Sequence, residues 1–361
     1  MSADPPSSAA ADHGTVRLRG SPSDYVALVL GAAAAVVVLW FVYEVRTALL
    51  LLFFALVVTI ALSAPVRWFM RRGLSHKMSG ALTFAAFLGV LILIGALVFP
   101  RVAAQMVLLL RELPEFAMRF NEQLASLLAR YPELQGFISA DAAALEGMAP
   151  SPADLFRGLG GASLSLLAFL ALLVVFLSFV LYALLDPVPI LRGYLGSLPP
   201  GYRRAGARAF ARASRAVIGW TKASLIIGVI EAVLVFIFLT LMEVPAALVW
   251  AALAFFAEFI PRIGGYVMAA PPVLISLTLG PMTALWVALF YLVMNEILGN
   301  LVAPRIRGAT MQLHPVMLLF FTLAFALAFG VLGAIVATPA AAFFSAYYGE
   351  FYLKRRASAA R

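Results

Sequence analysis

Acidic and amide side chains interrupt the apolar stretches of this sequence at a small number of positions. Glu231 lies eight residues into one stretch, and Asn295 and Glu296 lie late in another. Glu258 lies just before a Pro-Arg-Ile-Gly-Gly break in a third. Because an ionised carboxylate in hydrocarbon costs several kcal/mol, each must face a partner or a cavity, or stay protonated. Such groups are typical carriers of a proton or a cation through a membrane.

A structural role explains two of these carboxylates equally well. Glu258 and Glu296 lie close enough to the ends of their stretches to reach the cytoplasmic interface or to form an ion pair. Arg262 follows Glu258 by four residues, the spacing at which two side chains pair on one helix face. Glu231 lies deepest and is the hardest to explain without a transport role.

The sequence lacks the motifs of catalysis, ATP binding and metal binding. It has no cysteine and three scattered histidines, at positions 13, 76 and 314. No His-Glu-x-x-His or Walker motif occurs, and the GASLS stretch at 161–165 lacks the closing glycine of a nucleophile elbow. We therefore expect neither an enzyme nor a resident cofactor or metal, apart from coupling to H⁺ or Na⁺. The net charge of +9 is spread between apolar blocks, so we expect no nucleic-acid partner.

The composition indicates an all-α polytopic membrane protein. Hydrophobic residues make up 64% of the 361 residues, charged residues 12%, and the mean hydropathy is +1.01. A soluble domain is about half apolar and about a quarter charged, so a water-facing fold cannot hide this apolar surface. A helix needs about 20 apolar residues to cross about 30 Å of hydrocarbon. Six stretches meet this requirement: 25–43, 47–64, 80–99, 163–185, 223–241 and 283–299.

Two further apolar regions, 245–280 and 313–348, are broken by glycine and proline. Each half is short for a straight crossing, so each region is either a tight pair of spans or a re-entrant hairpin, which gives 8–10 apolar segments. The sequence leaves both alternatives open. The residues predicted to form or flank the breaks are Pro261, Gly264, Gly265, Pro271, Pro272, Pro304, Gly308, His314, Pro315, Gly330, Gly333 and Pro339.

The positive-inside rule gives the orientation. With both termini in the cytoplasm, most of the 26 Lys and Arg residues fall in cytoplasmic segments. The predicted organisation is a disordered cytoplasmic tail (1–22), three N-terminal spans (23–99), an extracytoplasmic helical region (100–162), a fourth span with a basic helix (163–222), a core with two broken hairpins (223–348) and a basic cytoplasmic tail (349–361).

The extracytoplasmic region 100–162 carries apolar side chains at three- and four-residue steps, which predicts an amphipathic helix. Pro114 is expected to kink this helix or to split it in two. We interpret the region as a helical hairpin that packs on the membrane surface or on a neighbouring subunit.

A basic amphipathic helix precedes the fifth span. Its cations share one face of the helical wheel: Arg204, Arg208, Arg212, Arg215 and Lys222. The opposite face is apolar: Ala209, Phe210, Ala213, Val217 and Trp220. This pattern predicts a helix in the cytoplasmic interface, with its cations on anionic lipid headgroups and its aromatic side chains in the acyl boundary. A solvated face that only sets topology is the alternative.

The two broken regions resemble each other. Gly265 and Pro271 align with Gly333 and Pro339 at a constant offset of 68. In the predicted topology, each unit of one span plus one hairpin starts on the opposite side of the membrane. Inverted repeats with broken helices are typical of transporters that bind their substrate near the midplane. A chance match between Gly- and Pro-containing membrane helices is the alternative.

Five short runs in the C-terminal half carry a family resemblance. They are FIPRIG (259–264), GNLVAPRIRG (299–308), LHP (313–315), GVLG (330–333) and ATPA (337–340). In order and spacing over residues 220–348, the chain resembles the autoinducer-2 exporter family of bacterial inner-membrane permeases. Looser matches cover nearly the whole chain after residue 22.

The resemblance implies transport and adds Asn300 to the candidate site. Many relatives carry an acid two residues before this asparagine, where this chain has Leu298, and a proline is common where Gly265 stands. If that acid takes part in coupling, either Glu296 takes its role or the chain carries another substrate. Other members resemble sodium/proton antiporters, so the resemblance implies transport more firmly than it implies a substrate.

We therefore expect a secondary transporter of the bacterial cytoplasmic (inner) membrane. It would export a small solute of the autoinducer-2 type or exchange a monovalent cation for protons. A membrane scaffold or assembly protein without transport is the alternative, and it should tolerate Glu231→Gln and Glu296→Gln. Small residues at 31–35 (GAAAA) and the outside helices predict a homo-oligomer, since small residues let membrane helices approach closely.

Overall fold

The computed structural model of the chain describes residues 22–130, 162–260, 263–307 and 314–353, and regular secondary structure in these ranges is helical throughout. The helices are α1 (Pro22–Glu44), α2 (Arg46–Arg71), α3 (His76–Leu97), α4 (Phe99–Arg130), α5 (Ala162–Leu185), α6 (Pro187–Ser197), α7 (Arg203–Leu241), α8 (Ala247–Ala257), α9 (Gly264–Leu277), α10 (Pro281–Glu296), α11 (Ala303–Arg307) and α12 (Pro315–Tyr348). Helices α10 and α12 continue as π-helical turns, Ile297–Val302 and Gly349–Leu353. Outside the described residues lie most of the predicted tail 1–22, the second half of 100–162, Pro261, Arg262 and Gly308.

Six helical stretches in the described ranges are long and apolar enough to cross a membrane, which confirms the all-α polytopic prediction. They are Arg46–Arg71, His76–Leu109, Ala168–Leu185, Pro200–Leu241, Pro281–Ile306 and Val316–Tyr352. Shorter apolar helices are Leu28–Glu44, Ala247–Ala257 and Gly264–Leu277. The set differs from the six predicted spans in two places. The predicted span 25–43 lies in α1, of which the shorter apolar part is Leu28–Glu44, and the stretch Val316–Tyr352 covers most of the broken region 313–348 but contains a reversal at Gly330.

The described residues fall into two compact units, one that ends at Leu49 and one that begins at Leu50. In the first unit, the guanidinium of Arg46 lies 3.8 Å from the centre of the Tyr43 ring and donates a hydrogen bond to the Tyr43 carbonyl at 3.0 Å. All the predicted site residues that the structure describes belong to the second unit.

Local sequence sets the start of several helices. Ser75 caps α3 by accepting a hydrogen bond from the Met78 backbone N–H at 3.4 Å. His314 caps α12 similarly, with its Nδ1 accepting from the Val316 N–H at 3.3 Å. Pro315 follows in the first turn, where its missing N–H costs no hydrogen bond. His314 and Pro315, predicted as part of a break, therefore begin a helix.

Helix α12 folds back on itself at Gly330. This glycine has φ 66° and ψ −150°, a conformation outside the helical region that other residues rarely adopt. The ring centroids of Phe321 and Phe344 lie 5.5 Å apart, which requires two antiparallel helical segments. A Cβ on Gly333 would overlap the carbonyl oxygen of Phe325. The chain thus turns at the break predicted from Gly330 and Gly333.

The first broken region is a hairpin of α8 and α9. A Cβ on Gly264 would overlap the backbone carbonyl of Ala257, so the missing side chain lets the two helix ends approach closely. Gly264 therefore has the role in this hairpin that Gly333 has in the second. The predicted alignment of Gly265 with Gly333 is shifted by one residue, because Gly265 faces α10 instead.

Four prolines predicted to mark breaks lie within helices instead. Pro271 and Pro272 lie inside α9, Pro339 lies inside α12, and Pro304 is the second residue of α11. Proline is tolerated in membrane helices because neighbouring helices and local adjustments satisfy the backbone groups that it frees. Pro272 and Pro339 are fully buried, so their rings pack inside the protein.

The first hairpin packs antiparallel to α7. The carbonyl oxygen of Phe255 lies 3.0 Å from a Cβ built on Gly228, and the Phe259 and Trp220 rings meet edge-on with centroids 5.8 Å apart. Helix α8 has 11 residues and therefore rises about 17 Å. The hairpin tip thus lies less than one hydrocarbon thickness of about 30 Å from the turn that joins α7 to α8.

The predicted basic helix is the first half of α7, and its apolar face does not lie against acyl chains as predicted. Arg203–Leu241 is one continuous helix of 39 residues. Val217 and Trp220 on that face are buried against Val57 and Ile60 of α2. The prediction is wrong on this point because other helices of the same chain cover the face. The five cations on the other face are exposed: Arg204, Arg208, Arg212, Arg215 and Lys222.

Two of these cations bind a carboxylate of the same chain. Arg208 Nε lies 3.1 Å and Arg212 Nη2 lies 3.2 Å from the carboxylate of Glu350, whose side chain is 2% exposed. Glu350 belongs to Gly349–Leu353, which was predicted to be part of a tail and instead continues α12 as a π-helical turn. The ion pairs join the start of α7 to the end of α12.

Helix α4, the described half of the region predicted to be extracytoplasmic, packs on the core of its own chain. Pro114 lies inside α4 without dividing it. Gln105 Oε1 accepts a hydrogen bond from the Leu248 N–H at 3.2 Å, and Leu109 is buried in a cluster with side chains of α7, α8 and α10. The prediction of packing on the membrane surface or on another subunit is wrong for this part of α4, because α8 takes that place.

The hairpin in α12 predicts a specific cross-link. A protein carrying Phe321→Cys and Phe344→Cys should be joined within one chain by a short bifunctional thiol reagent, because the native rings lie 5.5 Å apart. In a straight helix the two positions would be about 35 Å apart. Peptide mass spectrometry detects the product.

The matched control pairs Phe320→Cys with Phe344→Cys, since Phe320 is exposed. Its yield should be much lower. A yield at 321/344 no higher than that of the control would contradict the hairpin.

Candidate functional site

A cavity of about 140 Å³ lies between the tip of the first hairpin, α7 and the end of α10. We call it the acidic cavity. Its described lining is Glu231, Glu258, Ile260, Gly265, Tyr266, Asn295, Glu296, Leu298, Gly299, Asn300 and Ala303. The fold thus brings together six residues that the sequence singled out: Glu231, Glu258, Gly265, Asn295, Glu296 and Asn300.

Glu231 is the most deeply buried carboxylate of the acidic cavity. It is 2% exposed, and its Oε1 is buried with no hydrogen-bond partner among the described residues. Glu231 lies about 15 Å along α7 from Leu241, which is about half the hydrocarbon thickness. A buried oxygen without a partner carries a desolvation cost that a proton, a cation, water or a bound solute offsets.

Two further polar atoms on α10 are buried without a partner in the described part of the chain. They are the Tyr291 hydroxyl and the Asn295 Nδ2. The two residues are four apart and therefore lie on one helix face. The Glu231 charge is close enough to act on the Tyr291 hydroxyl. A carboxylate, a phenol and an amide are thus available to a ligand that can both accept and donate hydrogen bonds.

Glu296 is held in place by two hydrogen bonds on the exposed side of the cavity. The Tyr266 hydroxyl on α9 donates to its Oε1 at 2.7 Å, and Asn300 Nδ2 donates to its Oε2 at 2.5 Å. Asn300 lies in the π-helical turn Ile297–Val302. Such turns are frequent at functional sites because they change the direction of side chains within a helix.

The electrostatics of the cavity favour positive charge. Glu231, Glu258 and Glu296 line it, while the described lining contains no Lys or Arg. Glu231 and Glu258 are close enough to repel each other when both are ionised. Carboxylate and amide oxygens suit hard cations and hydroxylated solutes. The predicted partner of Glu258, Arg262, lies outside the described residues.

The remaining predicted residues that the structure describes do not line the acidic cavity. Gly330, Gly333 and Pro339 belong to the second hairpin. The cations of α7 lie in its first half, before Glu231 in the sequence, and none of them lines the cavity. Within the described ranges, only the first of the two hairpins contributes to the cavity. The inverted repeat stays a prediction.

Sequence reasoning missed Tyr266, Tyr291 and Gly299. Tyr266 directly follows Gly265, and Tyr291 lies one helical turn before Asn295, so the four-residue spacing on α10 was an available signal. A tyrosine in an apolar helix is too common in membrane proteins to be singled out without such a partner.

Comparison with known proteins identifies the class. The family model described as "AI-2E family transporter" matches residues 29–352. The chain belongs to the AI-2E transporter family. This AI-2E protein is therefore a polytopic membrane permease of a bacterial transporter family, and the resemblance that the sequence runs carried is confirmed.

Three relatives illustrate the match. A candidate transport protein of Mycobacterium tuberculosis (strain CDC 1551 / Oshkosh), MT0215, is 30% identical over 321 residues, which cover 87% of this chain and 85% of the relative. A candidate transport protein of Escherichia coli K12, YhhT, is 27% identical over 318 residues, or 86% and 87% of the two chains. The AI-2 transport protein TqsA of the same strain is 30% identical over 135 residues, or 37% of this chain and 39% of TqsA.

Substitution of Gly265 in this AI-2E protein can change the site without changing the fold. A Cβ at Gly265 would overlap Asn295 Oδ1, the end of a side chain that can rotate. Gly265→Ala should therefore displace Asn295, leave the helices in place and lower transport, measured as flux in proteoliposomes. The unfolding temperature should stay at the wild-type value.

Gly299→Ala is the matched control, because Gly299 lines the same cavity and no described atom lies within 4 Å of its Cβ position. It should transport like the wild type. If the two alanine variants have the same flux, the position of Asn295 does not matter for transport, and the prediction is wrong.

Proposed function

We propose that this AI-2E protein is a secondary transporter that carries a monovalent cation or a small hydroxylated solute of the autoinducer-2 type through the acidic cavity. Glu231 is its coupling group. The observation that carries the proposal is the position of this carboxylate in the acidic cavity, 2% exposed, about 15 Å along α7 from Leu241, with Oε1 unpaired within the described residues. Ionisable groups inside membrane helices are rare because they are costly, and they typically mark a pathway for protons, ions or substrate.

The chemistry of the cavity supports this choice of cargo. Its polar groups are carboxylates, amides and phenols, and three of the polar atoms in or next to it lack a described partner: Glu231 Oε1, Tyr291 Oη and Asn295 Nδ2. A volume of about 140 Å³ exceeds the roughly 30 Å³ of one water molecule several times. A cation with a few waters, or a small solute, fits this space.

The carboxylates provide a way to couple the movement of protons to the movement of the cargo. When Glu231 binds a proton, the repulsion between it and Glu258 is removed and cation binding is weakened. When the proton leaves, a cation or the donor groups of a solute neutralise the restored charge. Proton and cargo therefore compete for the same oxygen, which is the requirement for exchange.

The orientation of the chain supports export. Glu296 and Asn300 lie near Arg305, in a segment that the positive-inside rule places in the cytoplasm together with both termini. In that orientation the exposed side of the cavity faces the cytoplasm of a bacterial cell, where an exporter takes up its cargo. The proposal also includes two partners. The protein associates with further copies of itself, and anionic lipids bind the exposed cations Arg204, Arg215 and Lys222.

Flux across proteoliposomes tests the function. Under imposed Na⁺ and pH gradients, the wild-type protein should exchange Na⁺ or a small hydroxylated solute for H⁺. Glu231→Gln should lower this flux about tenfold or more, which corresponds to about 1.4 kcal/mol in the barrier, because an amide neither binds nor releases a proton there. Glu243→Gln makes the same change at an exposed residue just after α7 and should keep the wild-type flux.

Two outcomes contradict the proposal. One is the absence of any Na⁺, H⁺ or solute flux with the wild-type protein. The other is a Glu231→Gln variant that transports as fast as Glu243→Gln. Either result favours the scaffold, which tolerates the loss of this carboxylate.

A further inference from the structure

A second and larger cavity lies away from the acidic cavity. It has a volume of about 410 Å³ and is lined by side chains of α2, α5, α6, α7 and α12, together with His76. Small-molecule sites typically measure about 300–1,000 Å³. The acidic cavity shares no lining residue with it. We call it the α2 cavity, and its role is independent of the transport proposal.

The walls of the α2 cavity present mainly hydrocarbon. The hydroxyls of Thr59 and Ser63 donate to backbone carbonyls of α2 itself, at 2.8 and 2.6 Å. The Tyr347 hydroxyl donates to the Tyr194 hydroxyl at 2.6 Å. Because these three hydrogens are used within the protein, the hydroxyls of Thr59, Ser63 and Tyr347 add little polarity. The occupant must therefore offer an apolar chain along most of the wall.

One end of the α2 cavity is cationic. Arg67 lines it and donates a hydrogen bond to Ser63 Oγ at 3.1 Å, and no acidic side chain in the described residues pairs with it. The segment 65–79 contains no acidic residue and four cations: Arg67, Arg71, Arg72 and Lys77. From Leu56 to Arg67 the α2 wall is about 16 Å long. The cavity thus combines an elongated apolar wall with a positive end.

Two buried polar atoms of the lining lack a hydrogen-bond partner in the described part of the chain. They are His76 Nε2 and Ser214 Oγ. His76 begins α3, directly after the cationic segment, and its Nδ1 lies 3.4 Å from Met70 Sδ. Buried polar atoms are normally paired, so the occupant should carry hydrogen-bonding groups as well as an apolar chain.

We propose that the α2 cavity binds one anionic phospholipid, with an acyl chain along α2 and its phosphate on Arg67. The apolar wall, the cationic end and the two unpaired polar atoms match the chain, the phosphate and the ester oxygens of such a lipid. The positive-inside rule places the cationic segment at the cytoplasmic leaflet, where basic pockets between membrane helices bind anionic headgroups. A free fatty acid shares this chemistry, and the experiment separates the two.

Native mass spectrometry of the full-length protein in detergent tests the proposal. Dioleoyl phosphatidylglycerol should be retained at one molecule per chain, and dioleoyl phosphatidylcholine should be retained at least about tenfold less. Arg67→Gln should weaken retention of phosphatidylglycerol about tenfold, as expected for one lost charge-assisted hydrogen bond. Arg71→Gln removes a cation from the same segment outside the cavity lining and should retain the lipid like the wild type.

Ser214→Leu provides a second variant that does not depend on charge. It removes a hydroxyl that has no described partner and fills the cavity, so lipid retention should be lost while the unfolding temperature in phosphatidylcholine stays at or above the wild-type value. Equal retention of the two lipids, equal losses in Arg67→Gln and Arg71→Gln, or full retention in Ser214→Leu would overturn the proposal. Displacement of phosphatidylglycerol by equimolar oleate would assign the cavity to a free fatty acid instead.

Discussion

Hydrocarbon offers no hydrogen-bond partner to a peptide group or to a side chain, and the whole chain is built around this constraint. The described backbone meets it by being helical, including both hairpins, where Gly264 and Gly330 allow tight reversals without a long exposed loop. The same constraint makes the unpaired oxygen of Glu231 costly. Among the buried polar atoms of the described residues that lack a partner, the Glu231 oxygen is the one that belongs to a carboxylate, and a transport role in the acidic cavity accounts for it.

Helix α7 connects the parts of the second compact unit that bear on function. Near its start, Arg208 and Arg212 bind Glu350 at the end of α12, and in its middle Trp220 contacts Phe259 at the tip of the first hairpin. Glu231 follows eleven residues later on the same helix. One continuous helix therefore carries the buried carboxylate, the contact with the hairpin tip and the ion pairs with the end of α12.

The site was predictable from sequence to a large degree because intramembrane charge is so costly. Glu231, Asn295 and Glu296 stand out in apolar stretches, and the family resemblance added Asn300. The resemblance was carried by short glycine- and proline-containing runs, whose order and spacing a plain apolar helix does not require. The burial of Glu231 beside Glu258 and the bonds from Tyr266 to Glu296 required the fold, since those residues come from different helices.

Other expectations failed because a sequence pattern does not say what covers an apolar face. The faces of α4 and of the first half of α7 are amphipathic, yet both pack on other helices of the same chain instead of on lipid. Pro271 and Pro272 looked like breaks, but they lie within α9 because the surrounding helices tolerate their missing N–H groups. Only the three-dimensional structure shows that Gly264, and not Gly265, allows the close approach in the first hairpin.

The transport role of the acidic cavity is tested most directly by flux after a single thiol in it has been blocked. The native chain has no cysteine, and Gly299→Cys places one where no described atom lies within 4 Å of the Cβ position. Stoichiometric labelling with a bulky, membrane-impermeant maleimide should fill the cavity of about 140 Å³ and abolish flux in proteoliposomes, while the unlabelled variant transports normally. Fully labelled protein with undiminished flux would show that cargo does not pass through this cavity.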